Sequence, residues 1–286
     1  MSSFLTRHPL CVVTATSNLE RARPCIESWV KHTSQTLPVL IVVNGYHAGR
    51  EAIFPDIEKS AYATITRQEY LGSVPAFELG TRLALAGTYE VIACLHDDYE
   101  IQEQDWDRKV LRTFRQLPQC GLLGFGGAVG LGAASIYQTP YDPMQLARVG
   151  FRSNLVDAEV HGLRSLLSEP VACLDGFSQV GRRAFWEGQG FGEKPGLGVN
   201  PWRQLMDLGI VHHLYDSLLG MLAYRYGWQT WYVPLRSTHH GGRTAVGDPG
   251  YQDWAKRQIE GGDQGFWARA HQVGYEQFRD ILPFRV

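Results

Sequence analysis

The sequence predicts an α/β fold in which helices flank a mostly parallel central sheet. Two observations predict it. Strand-like segments are apolar along their whole length rather than at alternate positions, as in residues 10–16, 37–45 and 91–95. Segments with helical periodicity, residues 18–33 and 74–88, separate these strands. Strands that are apolar on both sides need cover on both faces, which is typical of parallel sheets with crossover helices.

The elements of the first half follow in order. The β-branched residues of the first segment favour a strand. Ser17 or Asn18 can cap the helix that follows it, and Pro24 has to lie in the first turns of that helix. The second strand ends on Asn44-Gly45 and is followed by a short third strand at 62–68.

The second half is less regular. Residues 119–131 predict a strand with a glycine-rich turn, and a turn at Asp175-Gly176 separates two short strands. A helix is expected at 212–228, followed by a strand from 229 that delivers His239 and His240 to a glycine turn. The chain from residue 248 predicts two short helices.

No linker interrupts the chain, so we expect one domain. Within it we expect a nucleotide-binding half at about 1–118, an acceptor and catalytic half with a smaller sheet at 119–245, and a helical tail at 246–286.

Composition indicates a soluble protein. A net charge of −2 excludes the overall basic field typical of proteins that bind nucleic acid or anionic lipid. None of the five cysteines forms a C-x-x-C pair, which favours buried, reduced thiols. The uncharged run at 120–141 is long enough to cross a bilayer, but its glycines favour strand and loop. We therefore expect a cytoplasmic protein without a transmembrane segment.

Polar residues stand at the ends of three of the predicted strands. They are Thr14 to Asn18, Asn44-Gly45 and His96 to Asp98. In open parallel sheets ligands bind outside the carboxyl ends of the strands. We therefore expect these three groups to meet in one crevice.

Asp97 and Asp98 are adjacent acids directly after a buried strand. Neighbouring carboxylates repel each other unless a cation shares them or water solvates them. Carboxylate oxygens with an imidazole suit Mg²⁺ or Mn²⁺, and His239 or His240 could supply the imidazole. Such an ion would stabilise a departing diphosphate. The alternative is a solvated helix cap before residue 106.

Three further side chains are candidates on the acceptor side. Asp216 lies near the start of the predicted helix, on its small-residue face, where a carboxylate could accept a proton from an attacking hydroxyl. An ordinary N-cap is the alternative. Asp175 is either a turn acid before Gly176 or a group that binds sugar hydroxyls. Trp186 could stack on a sugar, or be core.

Seven segments together resemble the nucleotide-sugar glycosyltransferases of the GT-A fold, in particular the inverting family 2 type. In chain order they are VVTATSN (12–18), LIVVNGY (40–46), YLGSVPAFELGTRLA (70–84), CLHDD (94–98), LDGFSQVGRRAFWEGQGFGE (174–193), LYDSLLGMLAYRYGWQTWYVP (214–234) and STHHGG (237–242). The chain departs from the family pattern at three places. Asn44-Gly45 replaces the usual Asp-Asp-Gly-Ser, Tyr70 and Glu78 stand where asparagines are usual, and His96 takes the first acidic position of the metal motif.

The resemblance implies a role for each matching residue. Asp98 with His239 or His240 would bind Mn²⁺ or Mg²⁺, and Asp216 would be the general base. The nucleotide donor, such as a UDP-sugar, would contact Thr14, Ala15, Thr16, Asn44, Gly72, Asp97 and Arg243. The acceptor would contact Asp175, Gly176 and Trp186.

The implied reaction is metal-dependent transfer of a sugar from a nucleoside-diphosphate sugar to a hydroxyl, with inversion. The acceptor could be a glycan, a lipid-linked sugar, a small molecule, a protein or modified DNA. Two other classes stay open. A sugar nucleotidyltransferase would need a glycine-rich basic loop after the first strand, which residues 14–23 lack. A non-catalytic nucleotide- or carbohydrate-binding module would bind without turnover.

Overall fold

The computed structural model describes residues 8–45, 63–132, 148–156, 163–241, 249–282 and 284–286. The strands are β1 (Leu10–Thr16), β2 (Val39–Asn44), β3 (Ala63–Gln68), β4 (Val91–Leu95), β5 (Tyr99–Ile101), β6 (Cys120–Gly124), β7 (Gly126–Leu131), β8 (Arg148–Ser153), β9 (Leu163–Arg164), β10 (Glu169–Val171), β11 (Cys173–Leu174), β12 (Ser178–Arg182), β13 (Gln229–Tyr232), β14 (Ser237–His239) and β15 (Phe284–Arg285). The helices are α1 (Leu19–Lys31), α2 (Ser73–Leu85), α3 (Trp106–Gln116), α4 (Arg183–Trp186), α5 (Pro201–Asp207), α6 (Tyr215–Arg225), α7 (Pro249–Gln258) and α8 (Gly262–Phe278).

The central sheet has the order β10-β13-β6-β12-β4-β1-β2-β3. The four strands β3, β2, β1 and β4 are parallel, and so are β6 and β13. The strands β12 and β10 run antiparallel to their neighbours. The prediction of an α/β fold with a mostly parallel sheet is therefore confirmed. Strands from both halves of the chain share this sheet.

Two smaller sheets complete the fold. One has the order β11-β7-β8-β9, with β15 paired to β7. The other is an antiparallel ribbon of β5 and β14. Residues 119–131, expected as one strand and a turn, form β6 and β7, and the chain passes from the central sheet to the smaller one at Phe125. The smaller second sheet was predicted, and the ribbon was not.

The environment of β1 explains why its first four residues, 10–13, are all apolar. Leu10 and Val12 pack into the core on the side of α1 and α3, whereas Cys11 and Val13 pack into the core on the side of α2, α5 and α6. All four are fully buried. Alternate residues of a strand point to opposite faces, so cover on both faces buries them all.

The helix α6 begins at Tyr215, three residues later than the predicted start at 212. His213 and Leu214 have φ of 52° and 51°, which a continuing right-handed helix does not allow. The predicted strand from 229 is also interrupted, because β13 ends at Tyr232 and β14 starts at Ser237. Pro234 lies in the gap and has no N–H for a sheet.

Three simpler expectations concern the cysteines, the tail and the uncharged run. All five cysteines are buried and free, as predicted. The tail forms the two helices α7 and α8. Within the described part of the chain, no helix is both long and apolar enough to cross a membrane.

Candidate functional site

A cavity of about 240 Å³ opens at the carboxyl edge of the central sheet. The parallel strands β1, β2 and β4 end there at Thr16, Asn44 and Leu95. Residues from all three predicted groups line it, including Thr16, Asn44 and Asp98. The structure thus brings the three polar strand ends together, because strands that run in parallel deliver their carboxyl ends to one edge.

His96, Asp98 and His239 form a cluster in the wall of this cavity. One donor atom from each lies within 4.8 Å of the others. The ribbon explains the arrangement, because Tyr99 of β5 pairs with His239 of β14 and the backbone N–H of His240 donates to the carbonyl of Asp98 at 2.9 Å. The imidazole of His239 is thereby fixed opposite the turn that carries Asp98.

The donor atoms of the cluster suit a divalent cation. The Oδ1 atom of Asp98 and the Nε2 atom of His239 are buried and form an ion pair 3.3 Å apart, and neither makes a regular hydrogen bond to a residue that the structure describes. Buried polar atoms without a regular hydrogen bond are consistent with a bound ion or water at the site. A carboxylate oxygen with two imidazoles is a donor set that Mn²⁺ and similar ions accept. The residues present therefore fit the implied metal.

The charges within the cluster support each other. Burial opposes ionisation of Asp98, but the contacts with His239 and His96 outweigh it and hold the pKa of Asp98 well below its usual value. Burial also opposes protonation of His239, yet the neighbouring Asp98 raises its pKa. In His96 burial dominates and lowers the pKa. At neutral pH Asp98 thus offers a metal an anionic ligand, and His96 offers it a neutral ligand.

Sequence reasoning did not assign His96 as a ligand. Its Nε2 atom lies 2.6 Å from the hydroxyl of Tyr215, which leaves Nδ1 on the side of Asp98, 3.8 Å from Oδ1. A hydrogen bond at one ring nitrogen orients the other toward a metal in many sites. The position of His96 in the acidic motif was a signal, because imidazole is itself a metal ligand.

His240 lies outside the cluster. Its Nε2 atom faces the carboxylate of Glu100 at 3.2 Å, and its side chain is 43% exposed, against 15% for His239. Of the two histidines predicted to bind metal, the structure places only His239 beside Asp98. Successive residues of a strand point to opposite faces, which explains why one histidine faces Asp98 and the next does not.

Asp97 is held by the first strand and the first helix. Its Oδ2 atom accepts hydrogen bonds from the Thr16 hydroxyl at 2.6 Å and from the Arg21 guanidinium at 2.7 Å. Burial raises the pKa of Asp97, and Arg21 partly offsets this. If Asp97 contacts the nucleotide-sugar donor, as predicted, it does so with a carboxylate that is already bound to Thr16 and Arg21. Arg21 also lines the cavity and was not predicted.

An arginine joins the two acids of the acceptor side. One terminal nitrogen of Arg148 donates to Oδ2 of Asp175 at 2.7 Å, and the other donates to Oδ2 of Asp216. Asp216 is nearly buried, and its Oδ1 atom accepts the backbone N–H of Ser217 at 2.8 Å. Both acids line the cavity. Arg148 was missed because it stands alone at the start of β8, with no motif around it.

The residues predicted to bind the nucleotide divide into two groups. Ala15, Thr16 and Asn44 line the cavity. Thr14 does not, because its side chain is fully buried on the α1 face of the sheet. The backbone at position 72 requires glycine, because its φ is 97° and a Cβ there would lie 2.3 Å from the carbonyl oxygen of Val211. Thr14 and Gly72 therefore do not line this cavity.

The side chain of Asn44 is partly engaged by backbone groups. Its Nδ2 donates to the carbonyl of Gly72 at 3.1 Å, and its Oδ1 accepts the N–H of Leu71 at 3.2 Å. These bonds tie the end of β2 to the start of α2.

The predicted tryptophan contact is wrong. Trp186 is fully buried, stacks on Trp202 and donates from Nε1 to the carbonyl of Ile92 at 3.1 Å. It belongs to the core. Trp267 of α8 lines the cavity instead, while Gly176 lines it beside the hydroxyl of Tyr215, as expected. Arg243, predicted as a phosphate contact, lies outside the described residues.

No family model matches the sequence, and no curated protein matches it. Among solved structures, the chain is similar to the mannosyltransferase PcManGT from Pyrobaculum calidifontis in complex with GDP-Man and Mn²⁺. The sequence identity is 14% and the TM-score is 0.48, over 98% of this chain and 72% of that chain.

Proposed function

We propose that the protein is a metal-dependent glycosyltransferase of the GT-A type, acting with inversion. It would move a sugar from a nucleoside-diphosphate sugar, such as a UDP-sugar, to an acceptor hydroxyl. The observation that carries the proposal is the cluster of His96, Asp98 and His239 in the wall of a cavity at the carboxyl ends of parallel strands, with the ligand atoms of Asp98 and His239 buried. Asp216, the candidate general base, lines that same cavity together with Asp175 and Arg148.

His96, Asp98 and His239 would hold Mn²⁺ or Mg²⁺. When bound, the ion supplies positive charge that stabilises the diphosphate as a leaving group. Tyr215 keeps the His96 ring oriented from behind. Thr16 and Arg21 keep Asp97 at the end of β1, where we place the ribose or second-shell contact of the donor. Ala15, Thr16 and Asn44 are the described candidates for the nucleoside contact.

Asp216 would take the proton of the acceptor hydroxyl. The oxygen of that hydroxyl forms a bond to the anomeric carbon while the bond from this carbon to the diphosphate oxygen breaks. The contacts of Asp216 fix its carboxylate in the cavity wall. Arg148 donates to Asp216 and to Asp175, and the backbone N–H of Ser217 donates to the other oxygen of Asp216.

Asp175 would bind the acceptor, and Arg148 would position it. Asp175 is anchored by the N–H of Phe177 at 3.3 Å and by Arg148. Its pKa is held below the usual value, because Arg148 and His239 outweigh the cost of burial. An anionic carboxylate fixed in this way can accept hydrogen bonds from sugar hydroxyls.

The test is turnover with a panel of nucleotide sugars, Mn²⁺ and simple glycosides as acceptors. A base contributes about 10²- to 10⁴-fold to rate, so Asp216→Asn should lower kcat by at least ~100-fold and leave donor affinity near normal. Asp207→Asn is the matched control, because Asp207 forms an exposed ion pair with Arg203 at the end of α5. The anomeric configuration of the product, measured by NMR, should be opposite to that of the donor.

Several results would contradict the proposal. Wild-type turnover by Asp216→Asn removes that residue from the mechanism, and retained configuration removes inversion. Release of pyrophosphate from a nucleoside triphosphate and a sugar phosphate would instead identify a sugar nucleotidyltransferase. Binding of the nucleotide sugar without turnover by any acceptor, water included, would identify a binding module.

A further inference from the structure

The imidazole of His213 is fixed on three sides in the cavity wall. Its Nε2 atom lies 2.5 Å from Oδ1 of Asp263 and 3.2 Å from the hydroxyl of Tyr251. One face of the ring stacks on Trp267, with centroids 4.3 Å apart and planes at 17°. These partners come from α7 and α8, whereas His213 precedes α6. The C-terminal helices thus set the orientation of a single ring.

The backbone at this ring is also unusual. His213 and Leu214 both lie in the left-handed region, and Asp105 is the one other non-glycine residue there in the part of the chain that the structure describes. Two consecutive residues in this conformation persist only where the surrounding structure imposes it, and such places concentrate at functional sites. Here the turn brings His213 into the cavity directly ahead of Tyr215 and Asp216.

The partners of His213 fix its tautomer. Burial opposes ionisation of Asp263, but the hydrogen bonds from His213 and Tyr251 lower its pKa, so it is an acceptor only. The Nε2 atom of His213 must therefore carry the hydrogen. Burial lowers the pKa of His213 and outweighs the effect of Asp263, so the ring is neutral at pH 7. Its Nδ1 atom then has a free lone pair.

This lone pair is available to a ligand. Nδ1 of His213 makes no hydrogen bond to any residue that the structure describes, and the atom is reached by solvent. It is therefore an accessible hydrogen-bond acceptor on a residue that lines the cavity. The ring cannot turn this acceptor away without losing Asp263 and the stack on Trp267.

We propose that Nδ1 of His213 accepts a hydrogen bond from a sugar hydroxyl next to the reaction centre, which makes His213 a substrate-contacting specificity residue. Asp263 and Tyr251 are its positioning residues. The inference rests on the proposed glycosyl transfer. The hydroxyl belongs to the donor sugar or to the acceptor, and the same chemistry recognises both.

Two variants separate this role from a purely structural one. In His213→Asn the amide oxygen can take the place of Nδ1 and keep the bond to the hydroxyl, and asparagine tolerates a positive φ. In His213→Gln the longer amide reaches Asp263 and loses the acceptor near Nδ1. A substrate role predicts that the Gln variant is impaired more than the Asn variant. A role through Asp263 predicts the reverse order.

The measurement has two arms, both with Mn²⁺ present. The donor arm compares affinity for UDP and UDP-glucose, and for GDP and GDP-mannose, by calorimetry. The acceptor arm compares KM for methyl glycosides. One lost hydrogen bond to a neutral group predicts a change of about 3- to 10-fold in the Gln variant. A change for the sugar nucleotide but not the diphosphate identifies a donor hydroxyl, and a change in acceptor KM alone identifies an acceptor hydroxyl.

His32→Gln is the control, because His32 ends α1 with its Nδ1 atom bound to the carbonyl of Ser28. Thermal melts verify that each variant folds. Equal loss in both His213 variants, the opposite order, or wild-type values in both arms would overturn the inference. These results differ from failure of the proposed function, in which the wild-type protein itself would bind no nucleotide with Mn²⁺.

Discussion

Substitution of His239 should weaken metal binding strongly, whereas substitution of His240 should not. His239 is one of three side chains whose donor atoms lie within 4.8 Å of each other. Loss of an outer-shell partner costs a metal site about 10- to 100-fold in affinity. Loss of a direct metal ligand should weaken binding by more than the upper end of this range. We therefore expect His239→Ala to weaken Mn²⁺ binding by ~100-fold or more, which is about 2.8 kcal/mol.

His240→Ala provides the matched control. The two histidines are adjacent in sequence, but His240 faces Glu100 and is 43% exposed. Exposed ion pairs contribute about 0–1 kcal/mol to stability, so this variant should fold and bind Mn²⁺ like the wild-type protein. The assay is calorimetric titration of Mn²⁺, with circular dichroism to verify folding. Equal loss in both variants, or loss only in His240→Ala, would refute the assignment of the cluster.

Three further predictions address parts of the account separately. Tyr215→Phe removes the hydroxyl 2.6 Å from His96 and should weaken Mn²⁺ binding by about 10- to 100-fold while the fold persists, as measured by the same titration. Trp186→Ala should lower the free energy of unfolding by about 3–5 kcal/mol in urea titrations, because Trp186 is core, and should leave the KM for acceptor near normal. Asp107 has its pKa lowered to about 2 by His8 and Ser34 against the cost of burial, so its contribution of roughly 2 kcal/mol is present above pH 3.8 and lost as the pH falls toward 2.

Each of these predictions has its own control. Tyr226→Phe removes a buried hydroxyl 2.6 Å from Gln204 and should leave Mn²⁺ affinity unchanged. Equal effects of both Tyr→Phe variants would mean that Tyr215 does not orient His96. A large rise in acceptor KM for a folded Trp186 variant would restore that residue to the site. In acid denaturation Asp107→Asn should flatten the dependence of stability on pH between about 4 and 2, and an unchanged slope would contradict the assignment.

The sequence carried the signals for the fold and for the place of the site. A strand with a continuous apolar run, such as residues 10–13 of β1, predicts cover on both faces, and polar residues at its carboxyl end predict a ligand site. These inferences need only local patterns. Asp98, Asp175 and Asp216 could therefore be selected from the sequence, and the structure places all three in the cavity wall.

Other parts of the site depend on contacts between distant segments. His239 could not be distinguished from His240, because the choice depends on the register of β14 against β5. Arg148 reaches Asp175 and Asp216 across 27 and 68 residues of chain, and no local pattern marks it. Dependence on distant contacts also explains why Trp186, and not Trp267, was selected from the sequence. Trp186 and Trp267 are similar in local sequence character, and tertiary packing alone puts one in the core and the other in the cavity.

Local conformation also escaped prediction where packing overrides propensity. The segment before α6 has a helical pattern, yet His213 and Leu214 adopt positive φ. The cost of two such residues, about 1–3 kcal/mol each, has to be offset by contacts such as the bond from His213 to Asp263. The periodicity of a short segment contains no information about a contact with Asp263, which is 50 residues away in the chain.

The most direct test of metal-dependent donor binding is calorimetric titration of UDP and GDP, first with Mn²⁺ and then with a chelator. We predict that at least one diphosphate binds with Mn²⁺ and that the chelator weakens this binding by ~10-fold or more, since the cluster of His96, Asp98 and His239 faces the same cavity as the strand ends. Asp98→Asn should reproduce the effect of the chelator in a folded protein. Equal affinity with and without Mn²⁺, or no binding of either diphosphate, would contradict the account.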